Sequence, residues 1–322
     1  MSSRPSPFRY TRVLVLGASG FIGYWVSRAL RDQGAHLMCA VRGPDGAERL
    51  TREQLGTVVV KRDLDDVAAL REWVPALRPS LVVNLAGYGV DRGERDEAAA
   101  QRLNADLVEE LATVVSELPR DGWRGARLVH VGSALEYGTT PGVLREDSPC
   151  APTTVYGRSK LAGTQAVQHV AAATGVIACV ARLFTVFGPG EHEGRLLPTL
   201  LAAAELGGEV PLSAGTQRRD FAYVEEVAEG LLRLAVSDVE PGAVVNLATG
   251  RMHSVRDFVT TAAGVLHIPV SRLAFGAVPT RAEEMLHEGV SITHLRALTG
   301  WSPDDDLVSG VVRTIARRAE RS

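Results

Sequence analysis

Val13-Leu14-Val15-Leu16-Gly17-Ala18-Ser19-Gly20-Phe21-Ile22-Gly23 decides how the chain is read. The first four residues form a short, unbroken apolar run, as expected of a strand buried on both faces of a parallel sheet. A G-x-x-G-x-x-G follows at once, and a helix should run from it to about Gln33, because Gly34 is a natural stop. Each glycine has its own physical job in that setting. Gly17 permits the tight turn, Gly20 lets the backbone approach a pyrophosphate, and Gly23 lets the helix pack close to the strand. The helix N-terminus adds free N–H groups and the positive end of a dipole. With Ser19, Phe21 and Ile22 between them, these residues make a loop expected to hold a dinucleotide.

The same alternation continues outward. Strands are expected at 36–41, 57–61, 81–85, 127–131 and 176–181. Helices are expected from about Asp65, over 95–118 with Pro119 closing it, and over 154–173. Strands alternating with helices mean an α/β fold, a Rossmann-type doubly wound parallel sheet. After Gly188-Pro189-Gly190 the segments shorten. Helical patterns fall at 196–205, 224–236 and 255–266, with apolar runs at 244–247 and 268–270. The expected division is a loose tail over 1–10, a dinucleotide-binding domain over 11–188, and a smaller C-terminal substrate-binding lobe over 189–322, intertwined with the first.

Composition narrows the partners. Of 322 residues, 45% are apolar and 23% charged, enough for a sizeable core in an ordinary globular protein. A net charge of −3 asks for neither nucleic acid nor an anionic membrane. Cys39, Cys150 and Cys179 are distant and odd in number, and the histidines show no ligand spacing, so neither disulfides nor a metal are expected. Residues 1–10 have no apolar core of signal-peptide length, and the apolar stretch 167–187 is broken by His169, Gly175 and Arg182. A soluble cytoplasmic protein is expected.

The second strand ends at Arg42, which suits the 2′-phosphate of NADP; an acidic residue there would suit the ribose of NAD. NADP(H) is therefore favoured, with NAD(H) kept open by Asp45, three residues on. Asp63-Leu64 follow the third strand, where an adenine edge would lie, although Asp63 equally suits a helix N-cap. Tyr156 and Lys160 open a helix at i and i+4, on one face. There an ammonium would lower the phenol's pKa and let it serve as general acid or base. Ser133 ends the preceding strand and could bind the oxygen that Tyr156 protonates.

Taken with Asn84-Leu85-Ala86-Gly87, Asn104, Tyr137-Gly138, residues 182–189, 219–224 and Gly300-Trp301-Ser302-Pro303, the chain resembles the extended short-chain dehydrogenase/reductases, in their nucleotide-sugar epimerase/dehydratase/reductase branch. The resemblance runs over nearly the whole length. It implies catalytic roles for Ser133, Tyr156 and Lys160, and cofactor contacts from Gly17 to Gly23, Arg42, Asp63, Leu64, Leu85, Ala86, Gly87, Asn104, Tyr156 and Lys160. It implies substrate contacts from Ser133, Thr185, Arg219 and Arg281, the two arginines clamping a nucleotide diphosphate through paired guanidinium bonds. Thr185 stands where the family usually has Asn, and Pro198 resembles the segment near the nucleotide base. A homodimer through a four-helix interface, made by the helices near 95–118 and 154–173, is also implied.

The resemblance also bears on the reaction. The family's 4,6-dehydratases place an acid–base pair where this chain has Ala134 and Leu135, and elimination of water needs both groups. Its decarboxylases carry Glu at the position of Leu135; Glu136 is one residue off, which in extended chain changes the face. A local shift would restore it. What remains is hydride transfer at a sugar carbonyl. The segment 132–138 resembles the reductases of nucleoside-diphosphate-4-keto-6-deoxysugars, and a 4-epimerase using NAD stands second. A non-catalytic NADP sensor and a reductase of non-sugar ketones are the other readings.

Overall fold

Residues 13–16 are entirely excluded from solvent. Val13 and Val15 pack into one core, Leu14 and Leu16 into another. Alternate side chains of a strand point to opposite faces, so an unbroken apolar run belongs where both faces are covered. The computed structural model describes residues 6–56, 58–61, 64–89, 93–94, 96–280, 285 and 287–319. In chain order the strands are β1 (Arg12–Leu16), β2 (His36–Val41), β3 (Val58–Lys61), β4 (Leu81–Asn84), β5 (Leu128–Ser133), β6 (Val143–Leu144) and β7 (Ala178–Leu183). They continue as β8 (Thr185–Phe187), β9 (Val210–Leu212), β10 (Arg218–Tyr223), β11 (Ala243–Leu247), β12 (Met252–Ser254), β13 (Leu273–Phe275) and β14 (Gly289–Val290). The helices are α1 (Phe21–Asp32), α2 (Pro44–Arg52), α3 (Leu70–Leu77), α4 (Glu97–Gln101), α5 (Leu107–Glu117) and α6 (Val155–Thr174). After them come α7 (Leu196–Leu206), α8 (Val224–Val236), α9 (Val255–Val265), α10 (Thr293–Thr299) and α11 (Leu307–Ala319).

Seven strands form the main sheet in the order β11-β7-β5-β4-β1-β2-β3, every pair parallel. This is the expected doubly wound sheet. Its chain order turns at β1, between β2 on one side and β4 on the other, which is where open parallel sheets bind ligands beyond their carboxyl ends. Helices α1 and α8 cover one face, and α3, α5 and α6 the other. The lobe has a core of its own, where Phe221 and Phe258 stack at 4.4 Å beneath a small β12-β10-β8 sheet. The β6–β14 pair ties residues 143–144 to 289–290. Among the described residues no helix is long and apolar enough to cross a membrane.

Several expectations change. The tail expected over 1–10 is anchored from Ser6 on. Phe8 is only 2% exposed and lies 5.7 Å from the Trp123 ring, and Ser6 Oγ donates to Gln33 Oε1 at 2.8 Å. The segment after Arg42, which carries Asp45, is the helix α2. Pro-Asp-Gly reads as a turn, but Pro44 sits at the first helical position, where its missing N–H costs nothing. The helix expected over 95–118 is broken by a π-helical turn over Arg102–Asp106. The helix expected from Asp65 starts later, after a short 3₁₀ turn capped by Asp66. The run 244–247, assigned to the lobe, returns to the main sheet as edge strand β11.

Phe8→Ala should destabilise the protein by about 3 kcal/mol, the usual cost of emptying a buried aromatic site. Urea unfolding measures this; a change below about 0.5 kcal/mol would restore the loose tail.

Candidate active site

The glycine loop leaves β1 and enters α1 with no room for side chains. Gly17 has φ +76°, a conformation that L residues resist, and a Cβ there would lie 2.8 Å from the Ala86 nitrogen. A Cβ on Gly23 would collide with the Gly17 carbonyl. Gly20 caps α1 without a side-chain bond, so the first-turn N–H groups that helix geometry leaves orphaned face outward. These features fit the pyrophosphate of a dinucleotide: backbone donors at a helix N-terminus, and a surface that any side chain would fill. Ser19 meets the start of α2, where a Cβ on Gly46 would lie 2.7 Å from Ser19 Oγ. Arg42, at the end of β2, is exposed beside them, and Asp45 lies exposed in the first turn of α2.

Tyr156 and Lys160 lie in the first turns of α6, whose N-cap Thr154 accepts from the Gly157 N–H at 2.9 Å. Ser133 is the last residue of β5; its hydroxyl accepts from the Leu135 N–H at 3.2 Å and lies near enough to the Tyr156 phenol to favour its ionised form. The three proposed catalytic groups therefore converge at one strand end. Burial pushes the Tyr156 phenol up to about 12; Glu136 adds to this, while Ser133 and Arg195 oppose it. Lys160 is 3% exposed, and burial brings its ammonium down to about 8. Its Nζ donates to the Val131 carbonyl at 2.5 Å. The sequence suggested a phenol lowered by its lysine neighbour. In the protein alone the opposite holds, because desolvation of a phenolate outweighs the attraction of a cation. Tyr156 is thus held protonated, ready to donate.

Glu136 does not take up the position of a second acid. It is fully buried and turned under the strand end. Its Oε1 accepts from the Ser133 N–H at 2.7 Å, and its Oε2 accepts from Thr164 Oγ1 and Arg182 Nε, both at 2.8 Å. The local shift that would have brought it toward substrate is absent. Ala134 and Leu135 occupy the turn instead, and neither carries a proton.

Other expected residues have mixed fates. Leu85 donates its N–H to the Leu16 carbonyl at 3.0 Å, and the Ala86 N–H donates to Asn84 Oδ1 at 3.1 Å, which fixes the 85–87 segment beside Gly17. Asn104 spends its amide within the protein. Its Oδ1 accepts from the Tyr88 N–H at 2.9 Å, and its Nδ2 donates to the Tyr88 carbonyl and to Ser159 Oγ at 2.8 and 2.9 Å. It fastens the cofactor-side loop to α6 and is not a free cofactor ligand. Gly163 lets α6 come this close, since a methyl there would collide with the Asn104 carbonyl. Leu64 is buried in the core. Thr185 and Arg219 lie half-buried on the adjacent strands β8 and β10. Asp63 and Arg281 lie outside the described residues.

Three groups escaped the sequence reading. Arg195 and Glu94 lie close enough to act on the Tyr156 phenol, and the Asp220 carboxylate accepts from the Thr249 and Gly250 N–H groups at 2.9 and 2.7 Å, joining β10 to the end of β11. Each is distant in sequence from the residue it serves, so spacing gave no signal. The Ser133–Glu136 link did have one, the S-x-x-E of a capping box.

Residues 13–248 match the model of the NAD dependent epimerase/dehydratase family. The chain belongs to that family. It is an extended short-chain dehydrogenase/reductase, a family of NAD(P)-dependent enzymes. A relative from Kitasatospora kifunensis, named dTDP-6-deoxy-L-talose 4-dehydrogenase (NAD(P)(+)), is 32% identical over 91% of both chains. An Azospirillum brasilense relative named UDP-glucose 4-epimerase is 27% identical over 94% of this chain and 90% of its own. The solved structure of MoeE5 with UDP-glucuronic acid and NAD superposes with a TM-score of 0.79 at 25% identity, over 97% of this chain and all of that one.

Lys160 offers a direct test of how its ammonium is held. Its pKa falls from 10.5 to about 8 on folding, so the folded chain gives up this proton before the unfolded chain does. Between those values the unfolded state binds more protons, and stability rises with pH. Below pH 8 both states are charged and the folded state bears the whole burial penalty. Lys160→Met should therefore stabilise the cofactor-free protein at pH 7, by on the order of 1–3 kcal/mol after loss of the Val131 bond. The gain should vanish above pH 10.5. Urea unfolding at the two pH values checks it; a less stable variant at pH 7 would refute the buried charge.

Proposed function

We propose that this chain reduces the C4 keto group of a nucleoside-diphosphate-4-keto-6-deoxysugar, using NADPH in preference to NADH, in deoxysugar biosynthesis. The observation that carries the reading is the proton inventory at the end of β5. Tyr156 is held protonated beside Ser133, while the turn that follows offers only Ala134 and Leu135, with Glu136 locked inward. Reduction of a ketone needs one proton, delivered to the nascent alkoxide, and that is what this arrangement supplies. Elimination or decarboxylation would need a further acid or base from that turn. The name of the Kitasatospora relative, a deoxysugar 4-dehydrogenase, supports the same chemistry.

In this reading NAD(P)H supplies the hydride to C4 of the sugar. Tyr156 gives its hydroxyl proton to the C4 oxygen as the carbonyl becomes an alcohol. Ser133 holds that oxygen in line with the phenol, and Lys160 binds the cofactor ribose. Arg219 holds the nucleotide diphosphate from β10, joined by Arg281. Thr185 offers the substrate a hydroxyl where relatives place an amide. Leu161, Ala162 and Ala166 stay half-exposed on α6, whereas Val167 and Val170 are buried in the subunit; the former would join the face by which two copies pair. The Azospirillum relative keeps a 4-epimerase as the second reading.

Mixed with freshly generated dTDP-4-keto-6-deoxyglucose, the protein should oxidise NADPH faster than NADH, followed at the nicotinamide absorbance. Tyr156→Phe should lower kcat by at least about 100-fold. Tightly bound NAD⁺ with no oxidation of either added cofactor would favour the epimerase. Separately, Arg42→Ala should raise the KM for NADPH about tenfold, the loss of one charge-assisted bond, and leave that for NADH nearly unchanged. Equal effects on both would assign Arg42 to the surface.

A further inference from the structure

We propose that Glu136 is a positioning residue for the reaction, holding Ser133, the helix of Tyr156 and Lys160, and Arg182 in one register through a single buried carboxylate. This rests on the reductase reading of the same site. The carboxylate makes three bonds to three elements: the Ser133 N–H on β5, the Thr164 hydroxyl on α6, and the Arg182 guanidinium on β7. Thr164 lies one turn beyond Lys160, on the same face of α6. Two of the three elements carry reacting groups, and the third carries the cation that balances the charge.

The surroundings are shaped around this carboxylate. A Cβ on Gly132 would lie 2.6 Å from Glu136 Oε1, so the strand gives up a side chain to admit it. Arg182 is nearly as buried, with side-chain exposures of 4% and 0% for the pair. Its Cζ sits 4.5 Å over the Tyr137 ring, and its NH2 donates to Cys150 Sγ at 3.3 Å. Tyr137 in turn donates to Asn246 Oδ1 on β11 at 2.7 Å. A buried ion pair gives little net stability over an apolar pair of the same size. An apolar residue at 136 would fill the space but leave the Ser133 N–H without its acceptor and the end of β5 free to turn. The arrangement is thus costly as packing and useful as a clamp.

The charge also acts on the proton donor. Glu136 raises the proton affinity of both Tyr156 and Lys160. Tyr156 additionally faces Ser133, Arg195 and Glu94; Arg182 faces Tyr137 and Cys150 besides Glu136. Neutralising position 136 should let the phenol ionise at lower pH, and the alkaline fall in kcat should move with it.

The test compares Glu136→Gln, which keeps an acceptor but loses the charge, with the double variant Glu136→Val and Arg182→Leu, which loses both and buries no lone cation. Steady-state kinetics across pH give kcat and KM. Ultraviolet titration of tyrosinate, against Tyr156→Phe, gives the ionisation of Tyr156 in the free protein. Both variants should titrate Tyr156 about one unit lower, with kcat reduced about 10- to 100-fold, more in the double variant, and KM little changed. If Glu136→Gln fails to fold, the double variant carries the test. Folded variants with wild-type kcat, pH profile and Tyr156 titration would reduce Glu136 to a core ion pair and overturn the proposal. If the wild type reduces no keto sugar, the reductase reading fails, and the Tyr156 titration alone then decides whether Glu136 sets the phenol.

Discussion

Every strand of the main sheet runs in the same direction, and the site follows from that constraint. Parallel strands deliver all their carboxyl ends to one edge. The glycine loop, the 85–87 segment, Ser133 and the β7–β8 junction each follow a strand of this sheet, so residues more than a hundred positions apart meet without any long excursion. Both faces must then be covered, which is why the strands are mostly apolar and why α6 lies pressed against β5. The close contact of α6 at Gly163 brings Tyr156 and Lys160 to the end of the strand that bears Ser133.

That closeness has a thermodynamic consequence. Lys160, Glu136, Arg182 and Asp220 are ionisable groups held almost without water. Asp220 is pushed up to about 6 by burial despite its backbone donors, and His130 beneath Lys160 is driven well below its ordinary value by burial and by that lysine. A fold selected for stability alone would place apolar residues at such points. The buried Lys160, Glu136 and Arg182 gather around the end of β5, where stability is given up for a fixed arrangement of charge.

The sheet was legible because continuous apolar runs and strand–helix alternation are local signals. Residues 13–23, Tyr156, Lys160 and the helix beginning near Thr154 could be read from spacing alone. What escaped was decided by tertiary partners. Phe8 looked like tail because nothing in its neighbours announces Trp123. The π turn around Asn104, whose amide is bound to Tyr88 and Ser159, has no signal in local spacing, and residues 244–247 join the main sheet by pairing with β7. Arg42 sits directly after β2, close to the expected strand end, but a place beside a strand does not state a ligand. The raised phenol was invisible for the same reason: a helix face shows that Lys160 is near, not how the surrounding groups tune the phenol.

Position 136 shows how finely the chemistry depends on register. An acid one residue earlier, at 135, would lie on the turn that follows Ser133. At 136 the chain closes a capping box instead, and the carboxylate swings beneath the strand to meet Arg182 and Thr164. The same functional group thereby changes from a candidate proton carrier into a fixed negative charge behind the donor. A charge in that place disfavours a phenolate, so the phenol keeps its proton until a developing alkoxide can take it. That bias suits reduction, where the proton moves toward substrate.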